Sequence, residues 1–353
     1  MSDQRRTVRA VTTKVTLAQV AERAGVSLST ASRAVNGDPT RFVRDEVLHR
    51  VRRVATDLGY VPDAPAQAVA RGRTNTLGLV VSDLRNGPAV TALYAGAGAV
   101  AGPGGLSTLV MSGGGDPDGM VECVRAMHRL RARGLMVAFV DDAPDVTADL
   151  RAELTSFAGS GGSVCTVGRR LEGISSVTAD ERGGALALAT LVRGAGYRVP
   201  RLVATHPVSE TTARWCRALA DAFDALGAPL PEDAVVTLPE GLLGGSDAVS
   251  AVAGSDDGPD LLIAVGEHAT MQTVLGVDIG ARARSRLVGI ASIETTGPTR
   301  TERALSHISL PLAEMSKKAA EIALMSPSAN VEPRHVVVPV IPRLGESTPP
   351  RPA

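Results

Sequence analysis

The sequence predicts an α/β protein with a small all-α head at its N-terminus, and three observations carry that reading. Residues 15–61 hold three amphipathic helical stretches and no strand-like run. From about residue 74 onward, short apolar runs alternate with helix-compatible segments. Strands buried on both faces look like this, and their alternation with helices points to doubly wound parallel sheets. The chain, at 353 residues, is long enough for such a head and a large domain with its own core.

Within the head, residues 15–36 read as two short helices broken at Gly25. Each opens on a hydroxyl cap, Thr16 before Leu17 and Ser27 before Leu28, whose oxygen can accept from unpaired N–H groups of the first turn. Leu17, Val20, Ala21 and Ala24 share one face of the first helix. Ala31, Ala34 and Val35 give the second a narrow stripe of small apolar side chains suited to close packing. Its outward face carries Leu28, Ser29, Thr30, Ser32 and Arg33, a poor core but a good reader of base edges. The pattern is that of a helix-turn-helix, which makes double-stranded DNA the first partner to consider; an ordinary helical hairpin is the competing reading. Asp45 to Leu58 is a third helix, with Val47, Leu48, Val51, Val54, Ala55 and Leu58 on one face and Gly59 placed to stop it. Asp45 is the side chain available to cap it.

Charge points the same way. The whole chain is neutral, with 37 Lys+Arg against 37 Asp+Glu. Residues 1–73 hold 13 basic and 7 acidic residues, leaving 24 against 30 for the remainder. Basic surface gathered on one small domain is the electrostatic footprint of phosphate binding, and an acidic body discourages the rest from lying on DNA. No apolar stretch reaches the roughly 18 residues of a membrane span, and the N-terminus lacks the apolar run of a secretory signal. Cys123, Cys165 and Cys216 are far apart, as expected of reduced, buried thiols.

In the large domain the predicted strands are Leu77 to Val81, Ser107 to Met111, Leu135 to Val140, Val164 to Val167, Leu202 to Thr205, Leu261 to Val265 and Leu287 to Ile290. Open α/β sheets bind ligands beyond the carboxyl ends of their strands. The positions just after these runs are therefore the ones to watch: Ser82 to Asn86, Ser112 to Gly115, Gly266-Glu267 and Ala291-Ser292.

The order of helix-turn-helix, Leu58-Gly59-Tyr60 with Pro62, an Ala-rich linker, and Gly72-Arg73-Thr74 leading into Leu77 to Val81 resembles the LacI family of bacterial transcriptional regulators. Val177 to Asp180 with Gly183-Gly184, Ile308 to Pro311, and Pro342-Arg343 with Glu346 to Pro350 resemble later family segments in the right order. The resemblance implies two Rossmann-like lobes of periplasmic-binding-protein type, crossovers near 175 and 305, and a small-molecule effector between the lobes. It implies a disordered arm at 1–14, a DNA-binding domain at 15–61, a hinge helix at 62–73, an effector and dimerisation domain at 74–342, and a disordered tail at 343–353. It further implies a cytoplasmic homodimer, with no tetramerising coiled coil, that acts as a repressor on a palindromic operator.

By position, Leu28, Ser29 and Arg33 match residues that read the major groove, while Thr30, Ser32 and Asn36 match positions that contact phosphate. Thr16 and Ser27 join this DNA-binding set as the helix caps. Ala66 and Val69 fall in the hinge, where Val69 holds the place of a leucine that wedges open a base step in the minor groove. For the effector the resemblance nominates Ser82, Asp83, Asn86, Arg214, Trp215, Glu267 and Ser292. Several of these depart from the family pattern. Gly266-Glu267 replaces Asn-Asp, Ala291 replaces Asp, Arg214 lacks its following glycine, and aromatic residues make up only 2% of the chain. An unusual effector and a ligand-independent regulator with a degenerate pocket both fit, and a solute-binding protein is a more distant alternative. The glycine-rich stretches lack a phosphate-loop Lys-Ser/Thr, the histidines lack metal-ligand spacing, and no nucleophilic signature is present, so neither an enzyme, a cofactor nor a metal is expected.

Overall fold

A computed structural model describes residues 15–36, 43–61, 72–85, 87–139, 146–239, 242–253, 258–283, 289–294, 304–325 and 332–351. The chain divides at Thr74 into a head and a larger unit. The hinge residues Ala66 and Val69, the arm at 1–14 and Asn86 lie outside the described residues.

The head is three helices: α1 (Leu17–Ala24), α2 (Leu28–Asn36) and α3 (Asp45–Asp57). Val20, Ala21, Ala24, Ala31, Ala34, Val51 and Ala55 form its core, so the faces expected from helical spacing are the faces buried. Small side chains at the α1–α2 contact let these short helices approach closely. Gly25 closes α1 in the left-handed region, φ 66°, where its N–H meets the carbonyls of Ala21 and Glu22. Arg52 on α3 donates from Nε to the Ala34 carbonyl at 3.2 Å, satisfying an acceptor in the last turn of α2. The expected Asp45 cap is corrected: the cap position is Arg44, without a side-chain cap bond, and Asp45 and Glu46 lie in the first turn. Their negative charge there complements the helix dipole.

The larger unit contains two all-parallel sheets. The first joins β1 (Thr76–Val81), β2 (Ser107–Ser112), β3 (Gly134–Ala138), β4 (Ser163–Val167), β5 (Ser175–Ala179) and β11 (His335–Val338) in the order β11-β5-β4-β3-β1-β2. The second joins β6 (Pro200–Thr205), β7 (Val235–Leu238), β8 (Leu261–Val265), β9 (Gly289–Glu294) and β10 (Ser306–Ser309) in the order β10-β9-β8-β6-β7. Helices cover both faces of each. In the first lobe, α4 (Gly87–Ala101) and α11 (Leu312–Ala323) pack on Leu77, Leu79 and Val81. On the other face α5 (Pro117–Arg129) and α6 (Ala148–Gly159) pack on Val80, Leu135 and Val137. In the second lobe, α7 (Glu181–Gly194) and α8 (Glu210–Ala225) cover Leu202, Leu261 and Ile263. The opposite face, Val203, Leu262 and Ala264, lies under α9 (Leu242–Ala253) and α10 (Glu267–Ala283). Alternate residues of one strand thus enter opposite cores, the period-two geometry of a strand buried on both faces.

Where α4 meets α11, a Cβ at Gly96 would sit 2.1 Å from the Ala313 carbonyl oxygen, so glycine is required by the close approach of the two helices. The chain passes between lobes after β5, near Asp180, and after β10, near Leu310, a few residues beyond the expected points. A third passage after β11 is bonded to the first by the Asp180 N–H on the Val338 carbonyl at 2.8 Å.

The C-terminal segment is ordered through Arg351, against the expectation of a disordered tail. Arg343 pairs with His307 in a bridge. Ser347 accepts from the Ser306 N–H at 2.7 Å and donates to the Ile290 carbonyl at 2.6 Å. Thr348 is buried, and Tyr197 donates to the Pro349 carbonyl at 3.1 Å. A segment too polar and proline-rich to look structured is held by hydrogen bonds rather than by an apolar stripe.

Candidate nucleic-acid interface and inter-lobe site

At the head, the two hydroxyl caps are formed. Thr16 accepts from the Gln19 N–H while Gln19 Oε1 accepts from the Thr16 N–H at 2.8 Å, a reciprocal capping box. Ser27 accepts from the Thr30 N–H at 3.1 Å, and its Oγ lies 2.9 Å from Ser29 Oγ and 2.8 Å from Thr30 Oγ1. One serine therefore orients both hydroxyls at the start of α2. Leu28 is 55% exposed on the same turn. Arg33 is half-buried on the same helix, with no ion pair among the described residues. Ser32 is also half-buried, and the Asn36 side chain is outside the described residues. Arg23, Arg44, Arg50, Arg52 and Arg53 add exposed positive charge around this small unit. Capped helix, apolar finger, hydroxyls and guanidinium together can hold phosphate and read base edges.

At the carboxyl ends of the strands in the larger unit, the nominated effector residues separate into two groups. Ser82 is buried after β1, and its carbonyl accepts from the Gly115 N–H at 2.8 Å, tying the loops after β1 and β2 together. Asp83 accepts from the Arg85 N–H at 2.8 Å and from its guanidinium, and these bonds hold the carboxyl below its usual range. Arg214, from α8 in the second lobe, chelates Glu181 with Nε at 3.2 Å from each oxygen and Nη2 at 3.0 Å. It also donates to the Gly168 carbonyl in the first lobe at 2.9 Å. Ser82 and Asp83 thus follow β1, while Arg214 reaches the loop after β4 from α8.

Trp215 and Ser292 form the other group. Trp215 is 2% exposed and packs in the second lobe's core with Leu219, Phe223 and Ile308, because the residue after Arg214 turns to the buried face of α8. Ser292 is fully buried inside β9, paired with Ala264 and His307, because that strand runs on to Glu294, past the expected end at Ile290. Glu267 opens α10, and its side chain is outside the described residues.

Sequence reasoning missed Arg169 and Glu210. Arg169, just after β4, keeps only 8% of its side chain exposed, and its guanidinium pairs with Glu210 at the start of α8. It also lies 5.4 Å from the Phe139 ring centroid, a cation–π distance. Glu210 reaches Arg214 too, at 3.8 Å. Two arginines and two glutamates thus form one cluster that joins the lobes at the carboxyl ends of their strands. Arg169 is buried but Glu210 is 48% exposed, so solvent screens that pair, and what sets the cluster apart is that its members come from both lobes. Arg169 and Glu210 lie 41 positions apart, one after a strand and one opening a helix, and no local spacing announces them.

The chain thus carries a capped helix-turn-helix head followed by two doubly wound lobes. The profile described as bacterial regulatory proteins, lacI family, matches residues 16–63. The HTH-type transcriptional regulator PtxS of Pseudomonas plecoglossicida is 39% identical over 82 residues, 23% of this chain and 24% of that protein. The match to the HTH-type transcriptional regulator GalR of Salmonella typhimurium is longer, 28% identical over 319 residues and 88% of each chain. The chain thus spans about a quarter of the PtxS relative's length but most of GalR's. In fold it is similar to the lac repressor dimer bound to operator and the anti-inducer ONPF, with TM-score 0.74, 18% identity, and 96% of this chain and 100% of that one covered. Residues 16–63 thus match the lacI family of bacterial regulatory proteins, and the rest of the chain is similar in fold to a regulator of that kind.

Proposed function

We propose that this chain is a cytoplasmic repressor that binds a roughly palindromic operator as a homodimer, with DNA affinity modulated by a small molecule acting between its lobes. The observation that carries the DNA reading is the face of α2: exposed Leu28 and the Arg33 guanidinium beside hydroxyls oriented by the Ser27 cap. Leu28, Ser29 and Arg33 read base edges; Thr30, Ser32 and Asn36 fix register on phosphate; Ala66 and Val69 enter the minor groove from the linker. Dimerisation through the larger unit brings two heads to two half-sites. Shifting the lobes changes their spacing, a coupling of about 1–3 kcal/mol in systems of this kind. Ser82, Asp83, Arg214 and Glu267 are the positions from which the small molecule is sensed. Selection of random duplex DNA by the full chain tests this reading: a palindromic winner is expected, and enrichment no better than salt-dependent background overturns it.

A ligand-independent regulator is the second reading. It is favoured by one observation, that Arg214 already has Glu181 and the Gly168 carbonyl as partners.

A further inference from the structure

We propose that the loop after β4 and the first turn of α8 form a carboxylate-binding site shared by the two lobes, with the chain's own Glu210 as its resident occupant. The inference deepens, and rests on, the reading that a small molecule acts between the lobes; it names the ligand class as small organic acids.

The cluster is asymmetric. Its cations are fixed: Arg169 is more than nine-tenths buried over Phe139, and Arg214 is held by Glu181 and the Gly168 carbonyl. The anion between them is not, since the Glu210 side chain is 48% exposed while that of Glu181 is 20% exposed. Glu210 uses one oxygen on Arg169 and the other on Arg214, the way a free carboxylate would bridge two guanidiniums. It also leaves work undone. Arg169 Nε is buried with no hydrogen-bond partner among the described residues, although a buried donor of this kind is rarely left unmet. A carboxylate arriving from solvent can displace the exposed Glu210, bridge the same two guanidiniums and reach Nε as well.

The test uses the full-length chain and acetate as probe, with acetamide as its neutral isostere and chloride at matched ionic strength. Glu210→Ala vacates the bridge. Its melting temperature is expected to fall below wild type, and acetate should raise it again along a saturable curve, while acetamide and chloride do not. Adding Arg169→Gln should abolish the acetate response. If Glu210→Ala does not fold, Glu210→Gln keeps the shape, removes the charge and receives the same titration. Acetate acting no better than chloride on a folded variant, or acting equally without Arg169, overturns the proposal. Failure of the regulator reading shows separately, as wild-type chain that enriches no DNA sequence.

Discussion

Ser27 is a small residue with two consequences. Its Oγ satisfies an orphan amide of α2 and orients the hydroxyls of Ser29 and Thr30. Ser27→Ala should cost about 1 kcal/mol of local stability, seen as roughly fivefold faster hydrogen exchange at the first amides of α2. The three cysteines illustrate the opposite case, side chains shut away from solvent. Burial pushes the Cys165 thiol up to about 12 and Cys216 to about 11, and raises Cys123 as well. Thiolate is the reactive form, so none of the three should react with iodoacetamide at pH 8 until the chain is unfolded; rapid labelling of native protein would contradict their placement. Caps, faces and buried thiols of this sort are legible in sequence because each depends on neighbours within a few positions. Trp215 is the instructive miss. Its place beside Arg214 suggested a shared site, yet consecutive helical residues point about 100° apart, and one went to the lobe boundary while the other went to the core.

Among the elements, the strands with continuous apolar runs, β1, β3 and β8, were readable, since burial on both faces leaves few polar interruptions. Short edge strands were not. The four residues of β7 and the four of β11 alternate exposed or half-exposed positions with little buried surface, so their sequence carries little signal. The contact of α4 with α11 was equally hidden, because nothing local marks Gly96 as the point where the two backbones meet. Gly96→Ala should force those helices apart and destabilise the larger unit by about 1–3 kcal/mol, read as a lower denaturant midpoint. An unchanged midpoint would mean that the helices yield without cost. The C-terminal segment makes a similar point with hydrogen bonds. Ser347→Ala leaves the Ser306 N–H and Ile290 carbonyl without their partner and should cost about 1–3 kcal/mol.

For the whole molecule, the division of labour is legible in the charge distribution along the sequence. Positive charge lies on the head, acidic excess on the rest, and the larger unit carries the machinery that joins two lobes. The tie between those lobes is not legible there, because Arg169, Glu181, Glu210 and Arg214 come from separate loops and helix starts that only the folded chain brings together. We propose above all that α2 reads sequence while the surrounding arginines supply affinity without sequence. The most direct measurement compares wild type and Arg33→Ala on the selected duplex, on the same duplex with each base pair changed in turn, and on random duplex, at fixed salt. The account predicts a loss of about 1–3 kcal/mol on the selected site, relaxed discrimination at one operator position, and little change on random DNA. Equal weakening on every duplex would assign Arg33 to phosphate and contradict its role as a base reader.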